Sequence, residues 1–371
     1  MKKVLIGLVV ALVVVLGFFC FGQKENKSAE LNDKPVVKIG AILPLTGNTS
    51  TFGQAYKNGI LLAEDNINKN TKFNYKLIVE DNADNMKNVP IIAKKLLDYD
   101  NVSAILTIFD PMANVVAPIA ADKDIIHIGV SWFPDFLKYH NNYNVHSSIY
   151  DQSDILAKKI AKEKYKNVVL FTINQTGFIN ETNILKEKLN ENSIKICDEI
   201  NFNFGIRDFR TEIAQTHNKC NPDLYILGAF APESDILIKQ LREIVGDKVV
   251  FTGIELGVNV SSYKIYDNYW FSAPALPDDK FMKEYTEKYS DETFINFAGM
   301  GYTEIGLLID AFENAETESE NVPTAEEVSK YLHNKKVYNS IFGKIDVTEH
   351  GQIDIPVNLM EIKNGKPVVI E

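Results

Sequence analysis

Residues that could perform catalysis are scattered along this 371-residue chain instead of forming a catalytic motif. Nucleophilic catalysis needs a Ser or Cys on a turn beside a base, and no Gly-x-Ser-x-Gly elbow is present. The six histidines lack the His-x-x-x-His spacing of a zinc site. The acidic stretch of Glu80, Asp81 and Asp84 lacks the spacing of a calcium loop. We therefore predict that the protein is not an enzyme and has no metal centre or cofactor.

The three cysteines could support two other kinds of chemistry. Cys20 could be lipidated after cleavage, although Phe18 and Phe19 before it are larger than the usual lipobox residues. Cys197 is predicted in a strand and Cys220 at the end of the following helix, so they could pair in an oxidising compartment. Because the sequence does not give the distance between their Cα atoms, two buried thiols are the default interpretation.

Composition excludes several classes of protein. The chain has 39 basic and 50 acidic residues, which gives a net charge of −11 at pH 7. This acidic balance argues against a nucleic-acid-binding protein, which needs a basic face. Apolar residues make up 45% of the chain and charged residues 24%, as is typical of a globular protein.

The N-terminus has the pattern of a targeting segment. Lys2 and Lys3 precede an uncharged apolar run, so we interpret residues 1–22 as a signal peptide or a membrane anchor. Residues 23–35 are polar and are predicted to form a flexible tether. Cleavage, lipidation and retention as an anchor remain open, and each places the rest of the chain outside the cytoplasm.

The elements that follow predict two similar α/β lobes. Between residues 36 and 129, short β-rich runs alternate with helical patterns, which is typical of a parallel sheet covered by helices on both faces. The alternation begins again at residue 151 and continues to residue 252. Two late strands are predicted at Tyr338–Asp346 and Ile353–Ile362.

The first strand and the loop and helix after it contain a recognisable motif: Lys38-Ile39-Gly40-Ala41-Ile42-Leu43-Pro44-Leu45-Thr46-Gly47, then Phe52-Gly53 and Asn58-Gly59-Ile60-Leu61-Leu62-Ala63. Together with Asp208-Phe209, Pro222-Asp223 and Phe342-Gly343, it resembles the type I periplasmic binding proteins. More narrowly, the chain is similar to the Leu/Ile/Val-binding proteins of ABC transporters. The resemblance implies two Rossmann-like lobes joined by three crossovers.

The resemblance also implies where each lobe begins and ends. The first lobe would comprise residues 36–146 plus 273–343, and the second residues 147–272 plus 344–371. Ligands of such sheets bind beyond the carboxyl ends of the strands. Eight residues in these loops are candidates for ligand contact: Phe52, Asp110, Ser131, Trp132, Phe133, Thr176, Phe230 and Glu255.

The candidate site departs from the pattern of the relatives it resembles. Those relatives hold the ligand's α-carboxylate with a Ser and a Thr from successive loops, and its ammonium with an acid. Here the first loop has Asp110, the second has Ser131 followed by Trp132, and the acid is Glu255. The aromatic candidates could instead cap the sheet core, and Asp110 could be the N-cap of the next helix.

These features favour a binding protein for a small nitrogen-containing solute, either amino-acid-like or an amine or aromatic compound. It would be a monomeric, extracytoplasmic partner of an ABC permease, tethered to the membrane by its N-terminus. The alternative is a membrane-tethered ligand-binding sensor module of the same fold.

Overall fold

The computed structural model of the chain describes residues 34–67, 71–246, 251–254, 263–292, 294–317 and 321–370. The predicted targeting segment 1–22, most of the predicted tether and Glu255 lie outside the described residues. Among the helices that are described, none is long and apolar enough to cross a membrane.

Strands and helices alternate through most of the described chain, as the apolar patterning predicts. The strands are β1 (Val36–Leu43), β2 (Asn74–Asp81), β3 (Ala104–Ile108), β4 (Ile126–Val130), β5 (Asn142–His146), β6 (Asn167–Ile173), β7 (Lys195–Phe202), β8 (Leu224–Gly228), β9 (Phe251–Ile254), β10 (Trp270–Pro274), β11 (Val337–Ser340), β12 (Gly343–Val347), β13 (Gln352–Asp354), β14 (Val357–Lys363) and β15 (Lys366–Val369). The helices are α1 (Ser50–Ile67), α2 (Val89–Lys94), α3 (Asp110–Asp122), α4 (Ile149–Lys162), α5 (Thr176–Glu191), α6 (Arg210–Cys220), α7 (Glu233–Val245), α8 (Asp279–Tyr289), α9 (Ile295–Asn314) and α10 (Ala325–Lys335).

Each lobe is built on one mixed sheet. In the described residues, the first sheet has the order β11-β12-β13-β5-β4-β3-β1-β2 and the second the order β15-β14-β10-β9-β8-β6-β7. The strands from β13 to β2 and from β10 to β7 are parallel, and antiparallel strands extend each sheet at one edge. The prediction of two α/β lobes is confirmed.

Three short segments connect the lobes, because consecutive strands change sheets at three places. The chain crosses after β5, after β10 and after β13. Ala275 packs in the core of the first lobe directly after β10, and Ile355 does so directly after β13. Such thin connections permit a hinge motion between two rigid lobes.

The last lobe boundary differs from the predicted one. The prediction placed residues 344–371 in the second lobe, whereas β12 and β13 pair within the first sheet and the chain crosses at residues 355–356. Each late predicted strand is in fact two strands. The first turns back at Ile341–Phe342, where Gly343 has a φ of +88°. The second is interrupted by Pro356, which has no N–H to donate to a sheet ladder.

The two late cysteines form a disulfide. Cys197 of β7 is bonded to Cys220 at the end of α6, with the Cα atoms 6.0 Å apart. The default interpretation as two thiols is therefore wrong. Both residues are only half-buried, so neither thiol would be enclosed in the core.

Helices α1 and α9 pack together closely in the first lobe. Gly59 permits this approach, because a Cβ at that position would lie 1.9 Å from the carbonyl oxygen of Ala298. The same contact buries Tyr56 and Glu304, and the Tyr56 hydroxyl donates to the Glu304 carboxyl group. The helix that begins at Ile295 is thereby fixed above the first sheet.

Candidate functional site

The candidate site lies where the carboxyl ends of strands from the two sheets face each other. Phe52 is in the first turn of α1, directly after the loop that follows β1. Phe230 follows β8 of the second sheet, and its ring centroid lies 5.7 Å from that of Phe52. These two rings connect the lobes. The parallel strands predict such a location, because ligands of open α/β sheets bind beyond the carboxyl ends.

An aromatic cluster of six residues fills this region: Phe52, Phe109, Trp132, Phe230, Phe294 and Phe297. Phe52 is stacked on Phe294 with a centroid distance of 3.8 Å, and it meets Phe109 edge-on at 5.5 Å. Trp132 is parallel to Phe109 at 6.2 Å, and both lie 6.0 Å from Phe297. Aromatic pairs in such geometries stabilise each other beyond the burial of their area.

Two residues of the aromatic cluster contact the apolar cores of both lobes. Trp132 packs against the apolar core of the first lobe and against that of the second. Phe230 does the same from the second lobe. A solute that entered between these rings would therefore contact both lobes at once.

Phe109 has a backbone conformation that is unusual for a bulky residue. Its φ is +70° and its ψ is 140°, in a region that costs a non-glycine residue about 1–3 kcal/mol. The N–H of Phe109 donates to the Val130 carbonyl at 2.8 Å, and its own carbonyl accepts from Met112 and Ala113. These bonds hold the strained turn and position the Phe109 ring within the aromatic cluster.

Asp110 links the loops that follow β3 and β4. Its Oδ1 accepts hydrogen bonds from the Ser131 hydroxyl and from the Phe133 N–H, the latter at 2.6 Å. Burial raises the pKa of Asp110, and the two hydrogen bonds oppose that shift. The N-cap of α3 is Phe109, and Asp110 is the first residue of the helix itself. The N-cap interpretation of Asp110 is therefore wrong.

A hydrogen-bond network joins the β4 loop to the hinge. The Asn144 side-chain amide donates to the Ser131 carbonyl at 3.0 Å and to Gln352 at 2.9 Å. Gln352 in turn donates to the His146 carbonyl at 2.8 Å, and the His146 ring lies 4.9 Å from Trp132. His146 directly precedes the first crossover, so these contacts connect the Trp132 ring to the chain segment at the hinge.

Other candidates lie apart from the aromatic cluster. Thr176 is exposed at the first position of α5, whereas Phe178 two residues later lies 4.6 Å from Phe230. Phe133 packs against the apolar core of the second lobe. Glu255 lies outside the described residues, and β9 ends at Ile254.

Five residues of the site are missing from the sequence-based candidates: Phe109, His146, Phe178, Phe294 and Phe297. Phe109 directly follows β3, and Phe178 lies in the first turn of α5 shortly after β6, so their position after a strand was a usable signal. Phe294 and Phe297 surround the start of α9, which begins at Ile295. The close spacing of the apolar residues Phe294, Ile295 and Phe297 was the signal for these two.

Comparison with known proteins identifies the family. A family model described as periplasmic binding protein matches residues 36–367. The chain belongs to the periplasmic binding protein family. A match of this extent includes both lobes of this periplasmic binding protein and all three crossovers between them.

Solved structures confirm the type I fold. The leucine-binding protein LivK of Thermotoga maritima is 22% identical, with a TM-score of 0.77 over 90% of this chain and 98% of that one. LivJ of Streptococcus pneumoniae, in complex with isoleucine, is 19% identical, with a TM-score of 0.76 over 90% and 97%. A solute-binding protein of Rhodopseudomonas palustris, in complex with 3,4-dihydroxybenzoic acid, is also 19% identical, with a TM-score of 0.76 over 91% and 96%.

One curated relative is similar in sequence over part of its length. The Leu/Ile/Val-binding protein BraC3 of Rhizobium johnstonii is 23% identical over 225 residues, which cover 58% of this chain. The match spans 61% of BraC3, which is less than two thirds of that protein.

Proposed function

We propose that this periplasmic binding protein captures a small nitrogen-containing solute between its lobes and delivers it to an ABC permease. It would act outside the cytoplasm as a monomer, tethered to the membrane through residues 1–22, and it would catalyse no reaction. The aromatic cluster is the observation that carries the proposal. Its rings come from both lobes and meet where α/β sheets of this kind bind ligands.

The chemistry of the aromatic cluster favours solutes with an apolar or aromatic part. Flat rings offer dispersion contacts to such groups, and the face of Trp132 can also stabilise a cation. Similar proteins have been solved with isoleucine and with 3,4-dihydroxybenzoic acid, so this fold accommodates both kinds of apolar group.

Glu255 is the proposed partner for the nitrogen of the solute. In sequence it directly follows β9, whose carboxyl end belongs to the same edge as that of β8 before Phe230. A carboxylate that leaves water when the lobes close needs a counter-charge, and an ammonium group supplies one.

A thermal-shift screen over amino acids, amines, amides and aromatic acids tests the proposed function. A solute at ~100 times its dissociation constant should stabilise the fold by ~2.7 kcal/mol and raise the melting temperature by several degrees. The Phe230→Ala variant should lose most of this shift, because its ring contacts both lobes.

The matched control is Phe204→Ala, which removes a ring that is 63% exposed on the same lobe. This variant should keep the full ligand-induced shift. An equal loss in both variants, or no solute that shifts the wild type, would contradict the proposed function.

A further inference from the structure

The loop after β4 contains two hydrogen-bond donors that suit a carboxylate. The Ser131 hydroxyl and the Phe133 N–H point to one position beside the first turn of α3, where the helix dipole favours negative charge. Ser131 is only 1% exposed, so its hydroxyl has little access to water. An anion held here would sit at the edge of the aromatic cluster.

This position is already occupied by the chain's own carboxylate. Both donors meet the same atom, Oδ1 of Asp110. The side chain of Asp110 is half-buried and is bonded to Ser131 and Phe133, the two residues that flank Trp132. A second carboxylate would find these two donors engaged and would meet a like charge of low solvation.

We propose that Asp110 is an internal anion that excludes carboxylate-bearing solutes, so that the ligand is an amine with an apolar or aromatic part and no carboxylate. This inference rests on the proposed function and narrows its substrate class. Asp110 is then a specificity-determining residue, which acts by engaging the two donors that a solute carboxylate could otherwise use. The neighbouring rings of Phe109 and Trp132 are compatible with a cation or an apolar group.

Calorimetric titration with pairs of solutes that differ mainly in the carboxylate tests this inference. The pairs are 3-methylbutylamine with L-leucine, and benzylamine with benzoate. In the wild type, whichever of the two amines binds more tightly should have a dissociation constant at least 100-fold lower than that of its carboxylate-bearing counterpart. Tighter or equal binding of L-leucine or benzoate would overturn the inference and leave the proposed function standing.

The Asp110→Asn variant tests the role of the charge. Its amide oxygen can accept both hydrogen bonds at Oδ1, so the two loops should remain linked while the negative charge is lost. The preference for the amine should fall at least tenfold. The control is Asp135→Asn, an exposed acid that follows the same loop, which should keep the wild-type preference.

The possible results distinguish a failure of the role of Asp110 or of the amine inference from a failure of the proposed function. An unchanged preference in Asp110→Asn, with wild-type melting behaviour, would overturn the role of Asp110 alone. Failure of all four solutes to bind the wild type, while another solute class gives a thermal shift, would overturn the amine inference and leave solute capture intact. If no solute of any class binds, the proposed function falls as well.

Discussion

Replacing Glu255 with glutamine is expected to weaken binding of the solute by about 2–5 kcal/mol, which is roughly thirtyfold or more in the dissociation constant. The expected loss is large because glutamine cannot neutralise an ammonium group that has been withdrawn from water between the closed lobes. The measurement is calorimetric titration of both proteins with the best solute from the thermal-shift screen.

Glu349→Gln provides the matched control for this substitution. Glu349 is an exposed acid in the turn between β12 and β13, so its replacement changes the net charge equally and should leave affinity unchanged. Wild-type affinity in Glu255→Gln would show that this carboxylate does not hold the solute.

The buried Glu304 is expected to make the protein less stable as the pH rises. Glu304 is fully buried, its carboxyl group accepts a hydrogen bond from Tyr56, and burial raises its pKa from 4.5 to about 8. The folded state therefore keeps a proton that the unfolded state releases. The contribution of Glu304 to the free energy of unfolding is fully present below pH 4.5 and is lost as the pH rises through about 8.

Glu304→Gln isolates this effect, because glutamine imitates the neutral acid and does not titrate. Each unit of pKa difference corresponds to about 1.4 kcal/mol, so several kcal/mol of pH dependence should disappear in the variant. Buried His127, whose pKa is lowered to about 4, opposes the trend by losing stability as the pH falls, but it is common to both proteins.

Urea unfolding at pH 5 and at pH 8.5 measures the dependence for wild type and variant. Glu287→Gln, an exposed acid on α8, serves as the control and should follow the wild type. Parallel pH profiles for wild type and Glu304→Gln would show that the Glu304 carboxyl group is ionised in the folded protein.

The two-lobe fold is predictable because its signals are local. Alternating strands and helices require parallel sheets, and two rounds of the alternation indicate two lobes. The late boundary is not predictable in this way, since the pairing of β13 with β5 joins residues more than 200 positions apart. The disulfide is likewise not predictable from local patterns, because the distance between Cys197 and Cys220 is set by the packing of α6 on the sheet.

The candidate site is predictable only in part, because some of its residues come from distant elements that are brought together by tertiary packing. Phe52, Trp132 and Phe230 each follow a predicted strand, so a shared sheet edge was enough to suggest them. Phe294 and Phe297 reach the aromatic cluster only because the contact between α1 and α9 brings a distant helix over the first sheet. The hydrogen bond between Ser131 and Asp110 likewise depends on how two loops fold against each other.

The most direct test of solute capture within the aromatic cluster is a fluorescence titration with the best solute. The chain has two tryptophans, Trp132 in the aromatic cluster and Trp270, which is buried in β10 with 6% exposure. Capture between the lobes predicts a change in emission that persists in Trp270→Phe and is mostly lost in Trp132→Phe. A change that persists in Trp132→Phe and is lost in Trp270→Phe would contradict binding at this cluster.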